Sequence, residues 1–331
     1  MRMGTTAMPD VLCLRPKADF TRIGVIPPED LSITYMAPDD PGMPAALRVA
    51  DALVIPAVGP KLPLALFRQS RVKLVQVTGA GVDRVDVAGL KALGIAVANV
   101  PGGSNEAIAE YAVSCALTLL RRFPQSTAAI RSGDYAAFRS RLLADNVEGL
   151  GGLLVGIVGM GVIGSAVAKR FRQSGAMIAY YDPAPSEPAA ARDLDAQALG
   201  LEELLTRCDV VSLHVPLMPS TQDLLDTEEL ARMKPGAVLI QASRGGIVNE
   251  AALAAALEAG PLGGAAVDVY SSEPPGMDNS LLRLSEEAAQ KIILTPHIAG
   301  ITRQSWQRLF DTAWQNVIRI LSDGKLPLNV V

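Results

Sequence analysis

The feature that most restricts the fold of this chain is a repeated alternation of short apolar runs with longer helical segments. Eleven runs are rich in β-branched residues, at 11–14, 32–36, 52–56, 73–78 and 95–100, and again at 154–159, 176–182, 210–215, 237–243, 264–270 and 291–296. Strands that are apolar along their whole length are typical of parallel sheets covered by helices on both faces. The two series therefore predict two α/β domains, each a doubly wound parallel sheet.

The composition suits two folded domains without a polyanionic partner. Of the 331 residues, 49% are hydrophobic and 19% are charged, and the net charge is −4. These values are typical of a compact protein and exclude the basic surface that nucleic acid or an anionic membrane requires. The first 20 residues lack the apolar core of a secretory signal. The three cysteines, Cys13, Cys115 and Cys208, have neither metal-ligand nor disulfide spacing, so we expect a cytoplasmic protein without a metal site.

One stretch permits a membrane interpretation. Residues 149–168 contain no charge and are long enough to span a bilayer. Seven of these 20 residues are glycine, however, and each costs about 1 kcal/mol relative to alanine in a helix. A strand, a glycine turn and a helix explain the same sequence better, and we expect no membrane partner.

The strongest motif is the spacing GxGxxG in VGIVGMGVIGSAVAKRF, where the glycines are Gly159, Gly161 and Gly164. It follows a predicted strand and opens a predicted helix, and the next strand ends at Asp182. This context predicts a dinucleotide site, with the pyrophosphate on the helix N-terminus and Asp182 on the adenosine ribose. No arginine follows Asp182 in DPAPSEP, which favours NAD over NADP. The alternative is a plain glycine turn beside a surface aspartate.

Three polar residues follow the last three predicted strands. Arg244 follows AVLIQAS, Glu273 follows GAAVDVY and His297 follows KIILTP. Ligands of open parallel sheets bind beyond the carboxyl ends of the strands, so these side chains could converge there. A guanidinium can hold a carboxylate, and a carboxylate can orient an imidazole for proton transfer. Taken singly, each could equally be a surface ion-pair donor, a turn residue or a packed imidazole.

Two other segments are weaker candidates. His214, the only other histidine, precedes Val215 and Pro216 and could line the cofactor crevice, although a packed structural imidazole is the favoured interpretation. Small residues also follow the fourth predicted strand, at Thr78, Gly79, Ala80 and Gly81. Consecutive backbone amides in such a turn can form an anion-binding nest, which would suit a substrate carboxylate. An ordinary strand-to-helix turn is the alternative.

These motifs together resemble the D-isomer-specific 2-hydroxyacid dehydrogenase family. The matching segments are VTGAGVDRVD, NVPGGSNEAIAEYAV, VGIVGMGVIGSAVA with YYDP, LHVPLMPSTQDLL, SRGGIVNEAALAAAL, AAVDVYSSEPP, LTPHIAG and the final LPLNVV. They occur in family order from about residue 74 onwards, and the similarity is faint before that point.

The resemblance implies a Rossmann NAD-binding domain (104–296) inserted into a flavodoxin-like substrate domain (1–103 and 297–331), with the active-site cleft between them. It implies that Arg244 binds substrate, that His297 transfers the proton and that Glu273 keeps His297 protonated. It places Asp268 near the nicotinamide, and it implies a homodimer. The residues then expected to contact NAD are Gly159, Gly161, Val162, Ile163, Gly164, Asp182, His214, Pro216, Ser243, Asp268 and Gly300.

The expected activity is the interconversion of a small 2-keto acid and its D-2-hydroxy acid, with glyoxylate or hydroxypyruvate as substrate. Phosphoglycerate dehydrogenase-like members carry an arginine after the third strand, where this chain has Pro56, and this argues against a phosphorylated substrate. Alternatives within the same fold are phosphoglycerate-, formate- and phosphite-type dehydrogenases. A further alternative is a non-enzymatic NAD-sensing binding protein.

Overall fold

The computed structural model describes residues 8–184 and 188–331. The start of the N-terminus that was searched for a secretory signal, and residues 185–187 of DPAPSEP, lie outside the described residues. The strands are β1 (Asp10–Cys13), β2 (Ser32–Tyr35), β3 (Ala52–Ile55), β4 (Leu74–Val77), β5 (Ala96–Ala98), β6 (Leu154–Val158), β7 (Met177–Tyr181), β8 (Gln197–Ala198), β9 (Val210–Leu213), β10 (Val238–Gln241), β11 (Gly264–Val267) and β12 (Ile292–Leu294). All eleven predicted strands are present. The additional strand, β8, has only two residues, too few to produce a recognisable pattern.

Helices connect most of these strands. They are α1 (Lys17–Thr21), α2 (Met43–Val49), α3 (Val87–Ala92), α4 (Asn105–Leu120), α5 (Phe123–Arg131), α6 (Tyr135–Ala144), α7 (Val162–Gln173), α8 (Pro188–Asp193), α9 (Leu201–Arg207), α10 (Thr227–Arg232), α11 (Glu250–Glu258), α12 (Glu286–Ala289) and α13 (Arg303–Leu321). Helix α4 ends before Arg121 because Arg122 adopts a left-handed backbone, with φ of 50°, and precedes α5.

The chain forms two compact units. The first runs to Ser104 and resumes at Ile301, and the second is Asn105–Gly300. The sequence predicted domain boundaries after residues 103 and 296. The boundaries between the two units lie one residue and four residues later, respectively. His297 and its neighbours belong to the second unit because the amides of His297, Ile298 and Ala299 donate to Asp268.

The first unit contains a five-stranded parallel sheet in the order β2-β1-β3-β4-β5, which is the flavodoxin-like order. Side chains alternate between its faces. In β3, Ala52 and Val54 pack into one core cluster, and Leu53 and Ile55 into the other. Helix α13 covers the first of these faces with Phe310 and other apolar residues. Its i, i+4 spacing produces one apolar stripe, so the end of the chain packs on a sheet formed by its beginning.

The second unit contains a seven-stranded sheet in the order β12-β11-β10-β9-β6-β7-β8, and every pair is parallel. Counted within the unit from β6, this is the Rossmann order 3-2-1-4-5-6 with one further strand. Strands β9, β10 and β11 are buried at every position, because helices cover both faces. The predicted fold class is confirmed. Across residues 8–184 and 188–331, no helix is long and apolar enough to cross a membrane.

Candidate active site

The three polar residues predicted to act together follow neighbouring strands of the second unit. Arg244 comes shortly after β10, Glu273 lies in the loop after β11, and His297 comes shortly after β12. These strands are adjacent in the sheet and parallel. Their carboxyl ends therefore lie at one edge, and the three loops leave that edge side by side.

Glu273 and His297 are in direct contact. The Nδ1 atom of His297 lies 2.8 Å from Oε2 of Glu273, and the other carboxylate oxygen accepts a hydrogen bond from the Tyr270 amide at 3.1 Å. About one quarter of each side chain in the pair is exposed. With Nδ1 occupied, Nε2 of His297 has no hydrogen-bond partner within the described part of the chain. This geometry suits an imidazole that exchanges a proton through Nε2 while a carboxylate holds its orientation.

Arg244 lies on a loop that a buried amide organises. Oε1 of Gln241 accepts hydrogen bonds from the hydroxyl and the amide of Ser243 at 2.7 and 3.2 Å, and Nε2 of Gln241 donates to the Arg244 carbonyl at 3.0 Å. The Arg244 guanidinium donates to the Ser243 carbonyl at 2.8 Å. Sequence reasoning missed Gln241, although a polar residue ending the apolar strand VLIQ was a visible signal. Ser243 is buried, and its hydroxyl is hydrogen-bonded to Gln241.

The Arg244 loop also packs tightly against the loop that carries Glu273. A Cβ atom on Gly245 would lie 1.9 Å from the carbonyl oxygen of Tyr270, so only glycine fits there. This contact brings the Arg244 loop and the Glu273 loop together at the sheet edge.

A buried carboxylate holds the loop that carries His297. Asp268 is 1% exposed, and its Oδ1 accepts hydrogen bonds from the Thr295 hydroxyl at 2.6 Å and from the Ile298 amide at 2.8 Å. Its Oδ2 accepts from the Ala299 amide at 2.8 Å, and its carbonyl accepts from the His297 amide at 2.8 Å. His297 has a φ of 55°, a left-handed conformation that costs about 1–2 kcal/mol outside glycine. The contacts to Asp268 offset this cost and fix the direction of the imidazole.

Two members of this network were not predicted. Thr295 donates to Asp268, and its hydroxyl also lies 2.8 Å from the Tyr111 hydroxyl on α4. Burial raises the pKa of Tyr111 far above its usual value, so the phenol stays protonated. A hydroxyl residue two positions before His297 was the available signal for Thr295, whereas nothing in the sequence around Tyr111 pointed to this contact.

The glycine turn has the geometry that the motif predicted. Gly159 has a φ of 96°, and a Cβ atom there would lie 2.8 Å from the His214 carbonyl. A Cβ atom on Gly164 would lie 1.9 Å from the Gly159 carbonyl oxygen, so α7 can approach the turn only with glycine at this position. Gly161 is the N-cap of α7 and supplies no side-chain cap. The amides of Val162, Ile163 and Gly164 consequently donate to no described group, and they can bind an anion such as a pyrophosphate.

Asp182 lies directly after β7, against the glycine turn. One carboxylate oxygen accepts a hydrogen bond from the Met160 amide at 2.8 Å, and the other accepts from the Ala184 amide at 2.9 Å. Each oxygen keeps a second lone pair, so the carboxylate can still accept hydrogen bonds from a ribose. The residues of this region therefore fit an adenine dinucleotide.

His214 lies behind the glycine turn. Its Nε2 is 2.8 Å from the Ser212 hydroxyl, and its Nδ1 is buried without a partner in the described chain. Burial lowers the pKa of His214 to about 3, so the imidazole is neutral at physiological pH. It cannot act as a charged acid there, in agreement with the favoured structural interpretation. Pro216 is exposed beyond it, and Gly300 ends the His297 loop.

The candidate anion nest belongs to the first unit. Thr78 follows β4, and its hydroxyl accepts a hydrogen bond from the Arg15 Nε at 2.9 Å. A Cβ atom on Gly79 would lie 2.7 Å from the Ala57 Cβ, so the turn is close-packed. The amides of Gly79, Ala80 and Gly81 donate to no described group, and Ala80 and Gly81 are half-buried rather than sealed. Free consecutive amides are what an anion nest requires.

Comparisons with known proteins show the family to which the chain is similar. Residues 113–299 match the family model described as D-isomer specific 2-hydroxyacid dehydrogenase, NAD binding domain. A D-3-phosphoglycerate dehydrogenase of Mycobacterium tuberculosis is 36% identical over 271 residues, which is 82% of this chain and 49% of that protein. The chain thus spans about half the length of the phosphoglycerate dehydrogenases it matches.

Other similar proteins match over most of their length. A glycerate dehydrogenase of Methylorubrum extorquens is 35% identical over 260 residues, 78% of each chain. Among solved structures, D-lactate dehydrogenase from Aquifex aeolicus, complexed with NAD and lactic acid, has a TM-score of 0.84 and 26% identity. That similarity covers 97% of this chain and 98% of the other.

Proposed function

The chain belongs to the D-isomer-specific 2-hydroxyacid dehydrogenase family, as its motifs predicted, and we propose that it interconverts a 2-keto acid and the D-2-hydroxy acid with NAD(H). The observation that carries this proposal is the His297–Glu273 pair, 2.8 Å apart, at the sheet edge that also carries Arg244. A proton donor and a carboxylate-binding cation are the two groups that reduction of a keto acid needs besides the hydride.

The roles of the residues follow from their chemistry. NAD(H), when bound, supplies the hydride in reduction and accepts it in oxidation. Arg244 binds the substrate carboxylate and polarises the adjacent carbonyl. His297 donates a proton from Nε2 to the carbonyl oxygen as that oxygen gains negative charge, and it takes the proton back in the reverse direction. Glu273 holds Nδ1 and keeps the imidazole of His297 oriented for this transfer.

The cofactor site is proposed on the same basis. The free amides at the start of α7 would hold the pyrophosphate, and Asp182 would accept hydrogen bonds from the adenosine ribose hydroxyls. A negative carboxylate at that position would repel a 2′-phosphate, which favours NAD over NADP. In the first unit, the amides of Ala80 and Gly81 would form a nest that suits a substrate carboxylate.

For the substrate itself we favour glyoxylate or hydroxypyruvate. Pro56 follows β3, where phosphoglycerate dehydrogenase-like members have an arginine. Nearby Arg84 is buried, and its Nη1 and Nε donate to the carbonyls of Pro56 and Pro60 at 2.9 Å each. These two nitrogens therefore support the backbone of the loop after β3. The similar glycerate dehydrogenase is named for glycerate, and hydroxypyruvate is the corresponding 2-keto acid.

NADH oxidation across a panel of substrates tests the proposal. Hydroxypyruvate, glyoxylate, pyruvate and 3-phosphohydroxypyruvate are compared, with formate and phosphite assayed in the direction of NAD reduction. We expect His297→Ala and Arg244→Lys to lower kcat/KM by more than about 100-fold, because each removes a group that acts in the transition state. NADH affinity serves as the control and should change little. Tight NADH binding without turnover of any keto acid would favour an NAD-sensing protein instead.

A homodimer and a cytoplasmic location complete the proposal. Helices α5 and α6 expose Phe123, Ile130, Tyr135 and Leu143, and α6 contains no buried residue, which supports a partner surface on the second unit. Light scattering should therefore give twice the chain mass, and Leu143→Glu should lower it toward one chain. The three buried free cysteines support a reducing compartment.

A further inference from the structure

The turn that follows β4 has an orientation that its own residues do not explain. A trans peptide unit is planar, so its N–H points opposite to its carbonyl. The Gly79 carbonyl accepts a hydrogen bond from the Val100 amide at 2.8 Å, and the next carbonyl, of Ala80, accepts one from Nδ2 of Asn99 at 2.6 Å. Both carbonyls are therefore drawn toward the segment after β5. The N–H groups of Ala80 and Gly81 must point away from that segment.

One of these two contacts depends on the fold and the other on a single side chain. The bond from the Val100 amide continues the pairing of β4 with β5, and any residue at position 100 except proline would make it. The bond to Ala80 needs a donor on the side chain of residue 99. Asn99 itself is tied at its backbone, where its amide donates to the Asn329 carbonyl at 3.2 Å. The side chain is thus held in place to orient the peptide between Ala80 and Gly81.

We propose that Asn99 is a positioning residue for the substrate carboxylate: by holding the Ala80 carbonyl it aims the Gly81 amide into the nest. The inference rests on the proposed function, because it takes the keto acid carboxylate as the anion of the nest. Without the Asn99 donor, the peptide between Ala80 and Gly81 is free to rotate. Glycine at position 81 makes that rotation inexpensive, because it has no side chain to restrict its φ.

Two substitutions of Asn99 separate positioning from stability. Asn99→Ala removes the donor and leaves the peptide unrestrained. Asn99→Asp places an acceptor opposite the Ala80 carbonyl, which repels it. The peptide then gains a hydrogen bond by rotating, so that the Gly81 amide donates to the new carboxylate. The aspartate variant should therefore be at least as stable as the alanine variant, yet it should bind the substrate carboxylate less well.

The experiment measures oxamate, a carboxylate analogue of a small keto acid, binding to the NADH complex of the full chain by calorimetry. We expect affinity to fall about tenfold in Asn99→Ala, the equivalent of one hydrogen bond of about 1.4 kcal/mol, and further in Asn99→Asp. NADH affinity and kcat at saturating substrate should change less than KM. The matched control is Asn316→Ala, in the same unit, which removes a buried side chain that accepts from the Leu328 amide at 2.8 Å. It should lose stability without losing oxamate affinity.

The outcomes are distinct. Oxamate affinity that follows thermal stability across the three variants, or that stays unchanged in both Asn99 variants, would overturn the inference while leaving the proposed function intact. Failure of the unsubstituted protein to bind oxamate in the presence of NADH would refute the proposed function and, with it, this role of Asn99.

Discussion

Replacing Asp268 with asparagine tests whether the buried carboxylate controls the position of His297. The substitution preserves volume and removes one acceptor oxygen. At present Oδ1 accepts two hydrogen bonds, from Thr295 and Ile298, and Oδ2 accepts one, from Ala299. In its better orientation the new amide keeps the two bonds on Oδ1. Its NH₂ group then faces the Ala299 N–H, so two donors meet where a donor and an acceptor met before.

The expected magnitude follows from these contacts. A hydrogen bond to a charged acceptor contributes about 1.5–3 kcal/mol, and a buried donor left without an acceptor costs about 1–3 kcal/mol. Allowing for partial relaxation, we expect the loop to lose about 2–4 kcal/mol. This loop contains His297, and its left-handed backbone at that residue depends on the hydrogen bonds to Asp268. When this whole loss of about 2–4 kcal/mol acts by displacing the imidazole in the transition state, kcat/KM falls by roughly 30- to 900-fold.

The assay is steady-state NADH oxidation with hydroxypyruvate, alongside NADH affinity and thermal unfolding. Thr295→Val should give a smaller fall, about tenfold, because it removes one of three donors and leaves the carboxylate. Thr295→Ser, which keeps the hydroxyl, should restore most of the activity. A value of kcat/KM for Asp268→Asn within threefold of the unsubstituted protein would refute the reasoning, because the loop would then hold His297 without the carboxylate.

Three further predictions concern the second unit. Asp182→Ala should lower kcat/KM with NAD by roughly tenfold or more and raise the NADP-to-NAD ratio; better use of NADP by the unsubstituted protein would contradict the assignment. Gly164→Ala, whose Cβ would lie 1.9 Å from the Gly159 carbonyl oxygen, should lower NADH affinity at least tenfold and cost about 1–3 kcal/mol of stability, whereas Gly149→Ala, with open space around it, should do neither. Because burial lowers the pKa of His214 to about 3, the unfolded chain binds a proton between about pH 6.5 and pH 3 that the folded chain excludes. The free energy of unfolding should thus fall by up to about 2 kcal/mol between pH 7.5 and pH 5, and His214→Gln should remove this part of the loss; an unchanged pH dependence in the variant would show that the imidazole is not buried neutral.

The sequence by itself determined the strands and the motifs from which the active site is proposed. Apolar runs and helical periodicity are local properties, so every strand longer than β8 could be located without coordinates. The glycine spacing of Gly159 and Gly164 also has a local cause, since a positive φ and a close helix approach each exclude a side chain. The ends of the elements were less predictable. Arg122 terminates α4 through a backbone conformation that no residue pattern required.

Only the tertiary structure decided which residues meet. Hydrogen-bond partners of buried polar groups are chosen across the sheet, and that choice depends on strand order rather than on sequence spacing. The structure shows in addition that the hydrogen bonds of Asp268 hold the His297 loop, a role that the sequence did not indicate. In the sequence, Gln241 and Asn99 are ordinary polar residues at strand ends. Their roles became visible only from the hydrogen bonds to the Arg244 loop and to the turn after β4. A sequence records which groups need partners, whereas the packing of the sheet determines where those partners are.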